Sequence, residues 1–265
     1  MRITVFTSNQ PRHVSLIEAL ADIADEVFAI QECNTVFPGQ SEDFFRKSDV
    51  MRDYFSRVMS AEEQVFGKPR FPGRGVRQLP IRMGDLNKLD LSSFGAAMDA
   101  DRFIVFGASY IKGPLVELLV SRGAINIHMG VSPFYRGSST NFWAMYDHRP
   151  KYVGATIHQL STGLDSGPIL FHAFPKSQRV DPFVHGMRCV RAAHVAAVES
   201  IRSGRIDKIT PVPQDKTLQL RYSKNAQFTD AVASEYLDRL PTPADMATAL
   251  SGEPLSGLVN PVFVD

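Results

Sequence analysis

The sequence predicts an α/β protein: a mostly parallel sheet flanked by helices, with a short C-terminal appendage. Two observations carry this prediction. The chain runs strand, turn, helix, strand from its first residues, and further short apolar runs then alternate with segments of helical period. With 265 residues, 44% hydrophobic and 22% charged, there is enough apolar material for a real core.

Arg2 to Thr7 reads as a short β-branched strand. The polar turn Ser8-Asn9-Gln10-Pro11 follows, then a helix whose Leu16, Ile17, Leu20 and Ile23 share one face. "EVFAIQ" from Glu26 is a second buried strand. Ser41 with Glu42 and Asp43 predicts the start of a helix that runs to about Phe66, with acidic groups against its positive end. Met51, Tyr54, Phe55, Val58 and Met59 give it helical spacing. Beyond it, "GKPRFPGRGVRQLPIR" places Lys68, Arg70, Arg74, Arg77 and Arg82 in a stretch without acidic residues. That stretch reads either as a solvated connector or as a loop facing phosphates, which arginine favours.

"RFIVFGASYI" from Arg102 is a third core strand, and a helix over Gly113 to Arg122 is stopped by Gly123. "AINIH" is a fourth strand, "YVGATIHQL" from Tyr152 an alternating fifth, and "PILFHAF" from Pro168 a sixth. Asp181-Pro182 opens a long helix, with an acceptor at the cap and proline at the first helical position. Its apolar stripe includes Phe183, Met187, Val190, Ala197, Val198 and Ile201. The tail predicts a hairpin near Thr217 to Tyr222 and a short helix near Asp230 to Leu240.

Charge and cysteine content exclude several classes. Lys and Arg number 29 against 28 Asp and Glu, a net charge of +1 that argues against a nucleic-acid coat or a polybasic membrane binder. Cys33 and Cys189 are the only cysteines, so neither a disulfide framework nor a Cys-built zinc site is expected. No run approaches the ~20 apolar residues of a membrane helix, and "MRITVFTSNQPRH" has no secretory core. A cytoplasmic protein is expected.

The candidate chemistry sits at the end of the fourth strand. Asn126 and His128, in "INIHMGVSPFYRG", are two apart on an extended segment and so point to one side. Ligands of such sheets bind outside the carboxyl ends of the strands. Gly130, Pro133 and Gly137 leave a loop able to wrap a substrate, and Asp165 lies in the Gly/Ser loop "STGLDSGPIL". Amide, imidazole and carboxylate together suit acyl transfer, with no Ser or Cys nucleophile needed if the incoming amine attacks. His13, His148, His158, His172, His185 and His194 read as structural or exposed, Cys189 as a small core residue and Trp143 as packing.

The block from Ile125 to Leu170, with "NIH", "SPFYRG" and "VGATIHQLSTGLDSGPIL", resembles the formyltransferases that use 10-formyltetrahydrofolate. It is similar to methionyl-tRNA formyltransferases and sugar N-formyltransferases, and more distantly to glycinamide ribonucleotide transformylase. The resemblance covers roughly residues 1–205 and is weak over 40–95; the family's Ser-Leu-Leu-Pro is replaced by Gly130-Val131-Ser132-Pro133. It implies a Rossmann-like formyltransferase fold, a catalytic domain over 1–205 with an insertion at about 40–95, and a tail over 206–265. Asn126, His128 and Asp165 fall on the family's catalytic positions. The folate is expected against Ser109, Tyr110 and Ile111 and the loop Gly163, Leu164 and Asp165. A substrate phosphate is expected at Thr7, Ser8, Asn9 and Gln10, where a helix start offers backbone N–H groups. Further acceptor contacts are expected at Ser132, Tyr135, Arg136 and Gly137, and no metal is expected.

The three residue types suit this chemistry. Attack by an amine puts negative charge on the formyl oxygen, to which Asn126 and protonated His128 could donate, at ~3 kcal/mol per donor. Asp165 would favour the imidazolium and help move protons from the attacking nitrogen to the departing one.

The acceptor is read from what surrounds the core. Methionyl-tRNA formyltransferases place a sizeable domain after it, formyltetrahydrofolate hydrolases a regulatory domain before it, and glycinamide ribonucleotide transformylases lack an insertion like 40–82. The stretches "RGSSTNFWAMYDHRPKYVGATIHQL" and "LQLRYSKNAQFTD" look most like the sugar-type enzymes. The resemblance therefore implies a nucleotide-linked amino sugar such as GDP-perosamine, used for lipopolysaccharide-type glycans, with the insertion's arginines able to meet the pyrophosphate. Methionyl-tRNA or glycinamide ribonucleotide as acceptor is the alternative, and a non-catalytic folate-binding regulator a remoter one. No nucleic-acid or membrane partner is expected, while the tail hairpin and apolar "LVNPVFVD" could serve a homodimer interface.

Overall fold

β1 (Arg2–Ser8) is the strand on which the sheet is organised, because its side chains feed two cores at once. Ile3 and Val5 join one buried cluster and Phe6 joins the other, as alternation along an extended strand requires. The computed structural model describes residues 1–33, 48–253 and 255–265. β1 pairs in parallel with β2 (Glu26–Cys33) and β4 (Arg102–Val105). Outward from β2 lies β3 (Val76–Arg82), also parallel. Beyond β4 come parallel β5 (Ile125–His128), antiparallel β7 (Ala155–Gln159), and β8 (Ile169–Pro175), which is antiparallel to β7. β10 (Val262–Val264) closes that edge parallel to β8, giving a sheet of eight strands among the described residues.

Helices cover both faces. α1 (Pro11–Ala21), α2 (Asp49–Phe66) and α5 (Pro182–Arg202) pack on one, burying Leu16, Ile17, Leu20, Phe66, Val190 and Ala197. α3 (Gly113–Ser121) covers the other with Leu115, Val116 and Leu119, beside Phe94 and Phe103. The predicted punctuation holds: Asp181 Oδ1 accepts from the N–H of Phe183 and Val184 at 2.9 and 3.1 Å, and Gly123 adopts φ +66° after α3. The described part of α2 starts behind Ser48, whose Oγ accepts from Met51 N at 3.1 Å; the expected start at Ser41 lies outside the described residues.

Three expectations are corrected. The second half of the Gly/Pro/Arg stretch is neither connector nor phosphate loop but the edge strand β3, and two of its neighbouring arginines pair within the protein. Arg70 meets Glu18 at 2.5 Å and Arg77 meets Glu26 at 3.3 Å. "YVGATIHQL" does not alternate, since β7 lies inside the sheet and is buried along nearly its whole length. No hairpin forms over Thr217–Tyr222: Leu220 and Arg221 donate to Phe134 O at 2.8 and 3.0 Å, and β9 (Arg221–Ser223) runs parallel to β6 (Tyr135–Gly137). α6 (Asp230–Asp238) forms where the tail helix is predicted, and α7 (Pro243–Leu250) adds one the sequence analysis lacks. With α4 (Thr140–Tyr146), they close a third core around Trp143, Tyr135, Tyr236 and Met246. Among the described residues, no helix is long and apolar enough to cross a membrane, and no group of three His, Cys, Asp or Glu is placed to hold a metal.

Candidate active site

β5 ends at the carboxyl edge of the sheet, so Asn126 and His128 enter the same space, a cavity of about 360 Å³. Asp165 reaches it from the loop between β7 and β8. Its backbone adopts φ +44°, a left-handed conformation that Asp tolerates better than most residues, and Gln214 Nε2 pins it by donating to Asp165 O at 2.9 Å and Gly167 O at 2.8 Å. Gly167 cannot carry a side chain, because a Cβ there would overlap Gln159 O.

The three side chains converge. Asp165 Oδ2 lies 3.3 Å from His128 Nδ1, and Asp165 Oδ1 accepts from Asn126 Nδ2 at 3.0 Å. A fourth group belongs to the cluster: His158 Nε2 is 3.0 Å from the same Asn126 Nδ2. His158 Nδ1 faces Gln159 O at 2.8 Å, so Nδ1 carries the proton and Nε2 accepts. Burial, with 1% of its side chain exposed, pushes the His158 pKa down to about 4, which keeps the ring neutral. Both hydrogens of Asn126 Nδ2 are thereby engaged, one by Asp165 and one by His158. The polar atom that Asn126 has left for a ligand is its carbonyl Oδ1. The expected pair of oxyanion donors thus reduces to His128, whose Nε2 is buried and has no partner among the described residues.

The loop behind His128 is fixed with equal care. Thr156 Oγ1 donates to Gly130 O at 2.6 Å and accepts from Ser132 N at 2.9 Å. His172 accepts from Val259 N at Nδ1 and donates from Nε2 to Ser132 O at 2.7 Å. A Cβ at Gly130 would overlap Thr140 Oγ1 and lie 2.9 Å from His128 Nε2. One cavity wall is Ser109, Tyr110 and Ile111 after β4; the facing wall is Gly163, Leu164 and Asp165, and Tyr110 Oη spans the two by donating to Thr162 O at 2.5 Å.

Residues 57–181 match the family model described as formyl transferase. That stretch is similar to formyl transferases. The chain is 30% identical over 128 residues to a methionyl-tRNA formyltransferase of a Thermotoga species, a match covering 44% of this chain and 40% of that protein. The chain therefore aligns with well under half the length of that curated relative. Its fold is that of a sugar N-formyltransferase from a Shewanella species, with TM-score 0.53, 16% identity, and 100% of this chain and 93% of the other covered. It also matches an N-formyltransferase from Helicobacter canadensis solved with folinic acid and dTDP-3-aminofucose. There the TM-score is 0.50 at 11% identity, with 89% and 79% of the two chains covered.

The sequence-predicted contacts separate into two groups around this cavity. Ser109, Tyr110, Ile111, Gly163, Leu164 and Gly137 line it, alongside Ser138 and Ser139, which the sequence analysis missed. Ser132 and Tyr135 do not: both are buried, and the Tyr135 hydroxyl is turned to Asp147 Oδ2 at 3.1 Å. Arg136 Nη1 lies at Gln219 Oε1, 3.5 Å away. Thr7 and Ser8 are buried as well, with Thr7 Oγ1 2.7 Å from His13 Nδ1 and Ser8 Oγ donating to Glu32 O at 2.7 Å. Gln10 is buried and only Asn9 is exposed. The anion at the start of α1 is the protein's own: Glu62 accepts from Arg12 N at 3.1 Å and pairs with the Arg12 guanidinium at 2.9 Å. The reading of Thr7–Gln10 as an open phosphate site is corrected accordingly.

Proposed function

We propose that this protein transfers a formyl group from 10-formyltetrahydrofolate to the amine of a nucleotide-linked amino sugar. The observation that carries the reading is the convergence of Asn126, His128 and Asp165 on one cavity, within a domain matched to formyl transferases. A cavity of about 360 Å³ is at the small end of the range for ligand sites and suits a heterocycle held between the two loops.

The donor supplies an activated formyl carbonyl. His128, as imidazolium with Nδ1–H toward Asp165, directs Nε2–H at the carbonyl oxygen as it gains negative charge, a contact worth ~3 kcal/mol of barrier. Asn126 Oδ1 accepts from the attacking amine and orients its lone pair. Asp165 holds both of those side chains and takes the proton the amine releases, directly or through water; as the carbonyl re-forms and the bond from the formyl carbon to the donor nitrogen breaks, that proton passes to the departing nitrogen.

The sugar acceptor, a 4-amino-4,6-dideoxy sugar such as perosamine among the candidates, is supported by the full-length fold likeness to sugar N-formyltransferases and by the bound dTDP-sugar in one of them. Methionyl-tRNA is the second reading, favoured by the 30% identity to a methionyl-tRNA formyltransferase. A cytoplasmic location and a role in lipopolysaccharide-type glycans belong to the sugar reading. Incubation with 10-formyltetrahydrofolate and a panel of nucleotide amino sugars, initiator Met-tRNA and glycinamide ribonucleotide, read by mass, separates them. A formylated sugar nucleotide is expected; formylation of tRNA or glycinamide ribonucleotide alone overturns the sugar assignment.

A further inference from the structure

We infer that Glu32 is a positioning residue for the folate-facing loop, setting donor affinity from beneath the cavity; this rests on the formyl-donor reading above. Glu32 sits near the end of β2, 1% exposed, and among the described residues its hydrogen bonds go to none of Asn126, His128, His158 or Asp165. Its carboxylate accepts from Ser109 N at 2.6 Å and from Gly84 N at 2.9 Å, while its carbonyl accepts from Ser8 Oγ at 2.7 Å. One residue thus ties together the segments that leave β1, β3 and β4.

The loop after β4 needs such a tie. Gly107 leaves the strand at φ +65°, where a Cβ would overlap His13, and regular pairing stops there. What holds the loop instead is side chains. Glu32 takes Ser109 N, and Asn87 grips the next turn by donating to Tyr110 O and accepting from Lys112 N, both at 2.8 Å. The N–H groups of Tyr110 and Ile111 and the carbonyl of Ser109 have no partner among the described residues. Those are the backbone groups available to read the donor and acceptor edge of a planar heterocycle, and Glu32 fixes the plane they present. A buried carboxylate with two backbone donors is a stiff anchor, because losing either bond leaves an unpaired polar group out of water.

Folinic acid is the probe, titrated by calorimetry into wild type, Glu32→Gln and Asn87→Ala. The glutamine keeps the volume but sets an NH2 against one of the two N–H donors. Asn87 is exposed, so its variant folds even if Glu32→Gln does not. Each is expected to weaken folinic acid at least tenfold and raise the KM for the donor while kcat stays within about threefold. Hydrogen exchange should speed up over residues 107–112 and not in β1 or β5. Wild-type binding with unchanged affinity and exchange in both variants overturns the inference and leaves the proposed function standing. Absence of binding by wild type removes the formyl-donor reading itself, and the inference with it.

Discussion

His158 Nε2 and Asn126 Nδ2 lie 3.0 Å apart, and that contact decides which end of the Asn126 amide faces the cavity. With Asp165 Oδ1 on the other hydrogen, a flipped amide would set its carbonyl against two acceptors. His158→Ala should therefore let the amide rotate. The expected result is a kcat loss of about 10- to 100-fold with folinic acid binding retained, because orientation and not the binding wall is disturbed. Unchanged kcat by formyl-transfer assay would show that the amide holds its orientation without the imidazole.

In the proposed mechanism His128 is the donor aimed at the developing charge. His128→Ala is expected to lose about 10²- to 10³-fold in kcat while still binding folinic acid. A steady-state assay with calorimetric binding checks it, and normal turnover removes the mechanism.

Gly130 and His128 share a contact that no side chain can enter. Gly130→Ala would drive a Cβ into Thr140 Oγ1 and against His128 Nε2, so kcat should fall at least tenfold along with a Tm several degrees lower. Thermal scanning beside the activity assay reads both.

Much of this was legible before any coordinate. β1, β2, β5 and β8 are short runs of apolar and β-branched residues bounded by polar turns, and Asp181-Pro182 carries its own start signal. β3 was hidden because an edge strand with exposed arginines and a proline has no buried face to leave a pattern. β6, β9 and β10 are three residues each, too short for any period to register. Asn126, His128 and Asp165 stood out through residue type and place, whereas His158 looked structural: a neutral buried imidazole differs from a core residue only through its partner. Ser132 and Tyr135 lie in a loop rich in Gly and Pro, which resembles a substrate loop until the third core turns them inward.

Acid should destabilise the fold. Burial depresses the pKa of His185 to about 4 and of His194 to about 3, and lowers that of His13, from an ordinary value of about 6.5. The unfolded chain then binds more protons than the folded one below about pH 6.5. Stability is fully present above that pH and is lost as pH falls toward the folded values. Urea midpoints at pH 7.5 and 5 should show the drop. His194 packs between Phe66 and Phe106 with neither ring nitrogen bonded among the described residues, so His194→Leu should flatten the acid loss at little cost at neutral pH. An equally steep profile in that variant would assign the effect elsewhere.

Glu62 closes the start of α1 against outside anions. Glu62→Gln should cost about 1–3 kcal/mol in urea unfolding, since Arg12 keeps some solvent and the lost partner is only partly replaced. A neutral effect would mean the pair is dispensable.

β3 and β10 also limit how copies of this protein could join. One rim of the sheet is only three residues long, and the other carries Arg77, Pro80 and Arg82, a ring without an N–H between two cations. Neither described rim is a ready template for a neighbour's backbone, so a ribbon continuing from one molecule into the next is disfavoured.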